Sequence, residues 1–162
     1  MQKFTPETAA IALQVQQLVS EFAHEIDTNN GLNIADFYTA DGVFFVGDTE
    51  YKGHAAITKF YADRLTRIPS QHKDGIRVGC HTFVNLRSEI RDAQNASVFF
   101  TNVSYAGEGH PPVRATITPA MITRCRMDFR LESDGQWRIT AFTGTPLFVG
   151  DDPFTRAQLL KN

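Results

Sequence analysis

The chain has 162 residues, enough to bury a real core as one domain spanning 1–162. Hydrophobic residues make up 42% and charged residues 21%, the balance of an ordinary globular protein rather than of a disordered or membrane-spanning one. A formal net charge of −2, with no run of lysine and arginine, speaks against a nucleic-acid surface.

Thr5-Pro6-Glu7 predicts a helix start: a capping hydroxyl, a proline at the first helical position and an acid in the first turn. Ile11, Val15, Leu18, Phe22 and Ile26 then follow at helical spacing, and Asn29-Asn30-Gly31 stops the helix with residues that tolerate a left-handed backbone. Asn33 is placed to cap a short second helix carrying Ile34, Phe37 and Tyr38. Val43-Phe44-Phe45-Val46 predicts a strand that turns at Gly47-Asp48 and returns through residues 50–53. A third helix is expected over 54–65, with Ile57, Phe60, Tyr61 and Leu65 inward. Residues 69–79 are polar and rich in turn formers, which predicts a loop long enough to act as a lid.

Strands are expected over 80–91 and 96–106, joined by a hairpin at 92–95, with a loop over 107–112. A long strand over 115–132 meets a turn at 133–135, and Trp137 to Ile139 return from it. Past Gly150 only a weak helical pattern remains. Helices first and hairpins afterwards predict an α+β fold with segregated layers, in which the sheet curls around the helices and leaves a pocket. Many of the 13 phenylalanines fall in the alternating segments, so rings are expected to line a core or an apolar hollow. Cys80 and Cys125, both inside strand-like runs, read as reduced and buried small hydrophobes. The N-terminus lacks the basic-then-apolar pattern of a signal peptide, so the expected compartment is the cytoplasm.

The chemistry concentrates on His81 and Asp27. A histidine titrates near neutral pH, and a carboxylate beside it fixes its tautomer and holds its proton. His81 alternates with Phe83 and Asn85 on one strand face; alone, it also fits a core histidine satisfied by backbone. Asp27, alone, fits a solvated residue closing a helix, at a cost, because the helix dipole disfavours an acid in the last turn. Asn85 suits a structural amide or a ligand donor. Tyr38, Tyr51, Tyr61 and Tyr105 could each offer a phenol. His24, His54 and His72 are expected at the surface, and His110 in a loop that could border the pocket mouth. Arg124, Arg126, Asp128 and Arg130 alternate on what should be the outer face of the long strand, opposite Thr123, Cys125, Met127 and Phe129. No metal-ligand, dinucleotide or phosphate-loop motif is present, nor a Gly-x-Ser-x-Gly elbow, so neither metal nor cofactor is expected.

From about residue 8 to residue 145 the chain resembles the nuclear-transport-factor-2-like superfamily, in particular its SnoaL-like branch, which includes scytalone dehydratase. The markers are the first helix ending in Asp27, Tyr38-Thr39-Ala40-Asp41-Gly42-Val43-Phe44, Gly53-His54-Ala55-Ala56-Ile57, the His-x-x-x-Asn strand from His81 to Asn85, and Asp134-Gly135-Gln136-Trp137-Arg138-Ile139. The resemblance implies a cone-shaped, curved antiparallel sheet wrapped around three N-terminal helices, the NTF2-like or cystatin-like fold. It also implies a hollow for a small cyclic or aromatic ligand, and a homodimer formed through the sheet. Dehydratase-like members place an aspartate and a histidine where Asp27 and His81 stand. Their second histidine is absent from Phe99-Phe100-Thr101-Asn102-Val103, and their small polar ligand-binding positions fall near Arg124 and Arg126. The implied activity is a cofactor-independent lyase or isomerase using Asp27 and His81, with Tyr38, Phe44, Tyr61, Phe83, Asn85, Phe99, His110 and Met127 around the ligand. The same resemblance also admits a polyketide cyclase, or a non-catalytic ligand-binding or accessory subunit like the β subunits of ring-hydroxylating dioxygenases.

Overall fold

The computed structural model describes residues 3–72, 74–114 and 117–159. Helix α1 runs Pro6–Asn29. Its cap is reciprocal: the Thr8 amide donates to Thr5 Oγ1 at 3.3 Å, and the Thr5 amide donates to Thr8 Oγ1 at 2.8 Å. Ala12, Val15, Val19, Phe22 and Ile26 form the buried stripe, with Ile11 and Leu18 on its flanks. Asn30 takes a left-handed φ of 56° and Gly31 one of 74°, and the Gly31 amide donates back to the Glu25 carbonyl at 3.1 Å. A side chain at Gly31 would also stand 2.4 Å from the Tyr61 ring, so this helix end is closed to anything larger.

A short 3-10 turn, Ile34–Phe37, leads directly into β1 (Tyr38–Val46), which pairs with β2 (Thr49–Lys52). Helix α2 follows at once, over Gly53–Gln71. Then come four long strands, β3 (Arg77–Ile90), β4 (Asn95–Glu108), β5 (Pro119–Leu131) and β6 (Trp137–Val149), and a final helix α3 (Pro153–Leu159). The six strands form one open sheet in the order β2-β1-β6-β5-β4-β3. Every pairing is antiparallel except β1 with β6, which is parallel. Register shifts interrupt the β1/β6, β3/β4, β4/β5 and β5/β6 ladders. Each such bulge increases local twist, which is how strands of this length curl around helices instead of lying flat.

Phe22 sits at the centre of the core, edge-on to Phe37, Tyr38 and Phe142 at centroid distances of 5.7, 6.2 and 5.5 Å. Polar ties fix the helix on the sheet: Trp137 Nε1 donates to Gln14 Oε1 at 2.9 Å, and Gln16 Nε2 to Ser88 Oγ at 2.8 Å. No described helix is long and apolar enough to cross a membrane.

Several expectations need correction. Residues 69–79 are not a long lid loop. Helix α2 continues through Pro69 to Gln71 and β3 begins at Arg77, because a proline near a helix end costs a single hydrogen bond. β4 extends to Glu108 and β5 begins at Pro119; the expected strand start at Ala115 and Thr116 lies outside the described residues. His72 is buried, not at the surface, and Cys80 is exposed, because alternation along β3 that turns His81 inward turns Cys80 out. Cys125 is buried, as expected.

Candidate functional site

Asp27, in the last turn of α1, meets the edge strand β3. The acid that the helix dipole disfavours there finds its compensation across the gap. Asp27 Oδ2 accepts the backbone N–H of His81 at 2.8 Å, and Oδ1 lies 2.6 Å from His81 Nδ1. β3 is hydrogen-bonded to β4 on one side only, so an amide on its free edge needs an acceptor, and the carboxylate supplies it. Two hydrogen bonds accepted by one carboxylate fix both the strand and the ring. In neutral imidazole the bond to Asp27 keeps the proton on Nδ1 and leaves Nε2 as the lone-pair nitrogen. The His81 and Asp27 side chains are 15% and 23% exposed, so the pair is half-sheltered and reachable.

His81 forms part of the wall of a hollow of about 140 Å³ between the helices and the sheet. A volume near 150 Å³ accepts one benzene ring. Rings line much of it. Phe44 lies 5.2 Å from Phe60, 6.1 Å from Tyr61 and 5.3 Å from Phe142, while Phe83 packs 4.7 Å from Phe100 and 6.3 Å from the His81 imidazole. Burial pushes the Tyr61 phenol up to about 12, and likewise the Cys125 thiol. Both stay protonated at neutral pH, so neither is a base or nucleophile there.

Asn102 on β4 and Thr123 on β5 are register partners, and both line the hollow. They are 7% and 5% exposed, yet Asn102 Oδ1 and Thr123 Oγ1 have no hydrogen-bond partner among the described residues. Buried polar atoms are nearly always paired, so orphans on a cavity wall are suited to a ligand or an ordered water.

Helix α3 closes one side through Phe154 and Thr155. Asp152 pins it: its carboxylate accepts from Arg77 Nε at 3.1 Å, Arg77 Nη2 at 3.0 Å, and the amide and hydroxyl of Thr155 at 2.9 and 2.5 Å. Burial alone would raise the Asp152 carboxyl, but Arg77 and Thr155 outweigh it and hold it at about 2. His72 Nε2 lies 3.5 Å from the same carboxylate, its Nδ1 directed at the Ile68 carbonyl 3.1 Å away. The covering element is therefore this C-terminal helix, not the 69–79 segment.

Of the residues singled out in the sequence, Phe44, Tyr61, Phe83 and His81 line the hollow, with Asp27 behind His81. The others stand elsewhere. Tyr38 is fully buried in the core, its hydroxyl without a partner among the described residues and its pKa raised by burial. Met127 is likewise core. Asn85 is exposed at the β3 bulge with φ 58°. Phe99 faces outward, with the guanidinium groups of Arg87 and Arg126 at 4.3 and 5.4 Å. His110 is exposed and absent from the wall. Arg124 and Arg126 face outward, as expected; Thr123 and Cys125 enter the hollow instead. Sequence reasoning missed Asn102 and Arg64, and read only a weak helical pattern where α3 forms. Phe100, Asn102 and Ser104 share one strand face, and that alternation was the available signal for Asn102. Among the described residues no three His, Cys, Asp or Glu side chains converge as metal ligands would.

No protein of curated function matches the sequence. Among solved structures the chain is similar to an NTF2-like protein with a cystatin-like fold from Novosphingobium aromaticivorans, at 19% identity and TM-score 0.68 over 98% of each chain. It is similar to a putative scytalone dehydratase from the same organism, at 12% identity and TM-score 0.67, covering 90% of this chain and 89% of that one. A protein from Catenulispora acidiphila in complex with S-DNPA is similar at 20% identity and TM-score 0.68, over 85% of this chain and 94% of that one. At such identities these neighbours speak for the fold. The model of the SnoaL-like domain matches residues 7–143, most of the sequence, and the chain therefore belongs to the SnoaL-like family.

Proposed function

We propose that this protein is a cofactor-independent lyase or isomerase that moves a proton on a small cyclic or aromatic compound. The observation that carries the reading is the doubled grip of Asp27 on His81 at the wall of a ring-lined hollow. His81 Nε2 takes a proton from a carbon next to a carbonyl, or returns one to a leaving hydroxyl. Asp27 holds the ring in place and stabilises the imidazolium formed on the way. The orphan atoms of Asn102 and Thr123 receive a hydroxyl of the substrate, and the rings exclude water and hold its plane. The S-DNPA complex of a similar structure supports small-molecule binding in this fold. A polyketide cyclisation would use the same two groups.

The protein is expected to act in the cytoplasm as a homodimer paired through the outer face of β4 and β5, where Phe99 lies between Arg87 and Arg126. Light scattering on the purified chain reads the dimer directly. For the activity, native mass spectrometry identifies what copurifies in the hollow, and that compound is then offered to variants. His81→Ala should reduce turnover by roughly two to four powers of ten while the protein still folds. Full activity in both His81→Ala and Asp27→Asn would defeat the mechanism in favour of a binding protein.

A further inference from the structure

Three arginines gather where α2, β3 and α3 meet. The Arg64, Arg67 and Arg77 guanidinium carbons lie 5.6, 5.4 and 5.1 Å from the centroid of the Phe154 ring. Their charges are not treated alike. Arg77 is neutralised by the two-point pair with Asp152. Arg67 Nε donates to the Asp63 carbonyl at 3.2 Å, and the Asp63 carboxylate is itself taken by Lys59 at 2.7 Å. Arg64 lines the hollow and, among the described residues, has no carboxylate within ion-pair distance and no hydrogen bond to any acceptor. Its contacts are ring faces, Tyr61 at 5.2 Å and Phe154.

Ring faces attract a cation but do not accept the strong in-plane hydrogen bonds that its five N–H donors make with an oxyanion. Burial lowers the Arg64 pKa, Tyr61 opposes that shift, and Arg77 and Arg67 add to it; Asp27, engaged with His81, makes the smallest contribution. A sheltered cation facing a ligand-sized hollow, with its neighbours' counter-charges already used, is short of an anion that the described residues do not provide.

We propose that Arg64 anchors an anionic oxygen of the ligand, so that the hollow takes a cyclic or aromatic compound bearing a carboxylate, enolate or phenolate. This deepens the reading above by naming a substrate class, and it rests on the hollow being the ligand site rather than on His81 moving a proton. Arg64 then draws an acidic group to one end of the hollow and presents the rest of the ring to His81, Asn102 and Thr123. In a proton abstraction next to a carbonyl, the same cation would offset charge that develops on the carbonyl oxygen as the C–H bond breaks.

The test compares two ligands of one shape, cinnamate and cinnamyl alcohol, by isothermal titration and by ligand-observed NMR. In the wild type cinnamate should bind at least about tenfold more tightly than the alcohol, the difference a charge-assisted pair makes. Arg64→Gln should bring the ratio close to one. Arg64→Lys, which keeps the charge but not the forked geometry, should retain part of it, and carries the test should Arg64→Gln fail to fold. His81→Asn should leave the preference intact, so that loss of turnover in that variant with an unchanged ratio separates the two proposals. Equal binding of both compounds by the wild type, a preference that survives Arg64→Gln, or no binding of either would overturn the assignment.

Discussion

Replacing Asp152 by asparagine keeps the shape of the latch and removes its charge. The native carboxylate accepts four hydrogen bonds, two from Arg77 and two from Thr155, and its side chain is 7% exposed, with Arg77 at 8%. An amide can accept at one oxygen only, and its NH₂ would face the Arg77 donors or the Thr155 amide. The carboxyl is held at about 2, against an ordinary aspartate value of 3.8. A depression of that size corresponds to about 2 kcal/mol of stability. Because the folded-state value is the lower one, the contribution is complete above the unfolded value near 4, and it is lost as pH falls toward 2. Asp152→Asn should therefore lower the thermal midpoint at pH 7 by about 4–8 °C. The gap to wild type should narrow between pH 4 and pH 2. Hydrogen exchange should quicken first in α3, which the latch pins. A midpoint within a degree of wild type at pH 7, or a gap that does not shrink in acid, would refute the latch.

Other predictions concern the wall and the frame. Thr123→Val removes an orphan hydroxyl at constant shape, so chemical denaturation should show unchanged stability or a gain of about 1 kcal/mol, while ligand affinity falls. Phe22→Ala, at the centre of the core, should cost about 3–5 kcal/mol in the same measurement. Gly42→Ala would bring a methyl to 2.9 Å from the Ile139 carbonyl and 3.0 Å from that of Thr39, where β1 slips register on β6; the expected result is a clear loss of stability. Asn85→Gly should be neutral or slightly stabilising, whereas Asn85→Val should be distinctly worse, because φ there is 58°.

Local rules carried much of the fold. Thr5, Pro6, the apolar stripe and Asn30-Gly31 specify α1 through short-range chemistry, and the hairpin at 92–95 is equally local. The meeting of Asp27 with His81 came from family resemblance, since nothing near either residue encodes a partner 54 positions away. What was hidden depends on long-range geometry. The parallel pairing of β1 with β6 is a crossover that periodicity does not report. Strict alternation on β3 put Asn85 beside His81, but the register shift between Val84 and Arg87 breaks that count. The family resemblance implies Phe99 at the ligand, but Phe100 is the inward residue and Phe99 is sheltered by arginines across the outer face. The second half of β6 is mostly exposed, with Leu147 and Phe148 open to solvent, so it lacks the in-out pattern that marks a strand.

The most direct measurement is ¹⁵N NMR of the His81 ring, which needs no ligand. The Asp27 contact predicts that neutral imidazole carries its proton on Nδ1 with Nε2 bare, and that Asp27→Ala shifts population toward the Nε2–H tautomer. A wild-type ring already protonated on Nε2 when neutral, or one indifferent to loss of Asp27, would contradict the account.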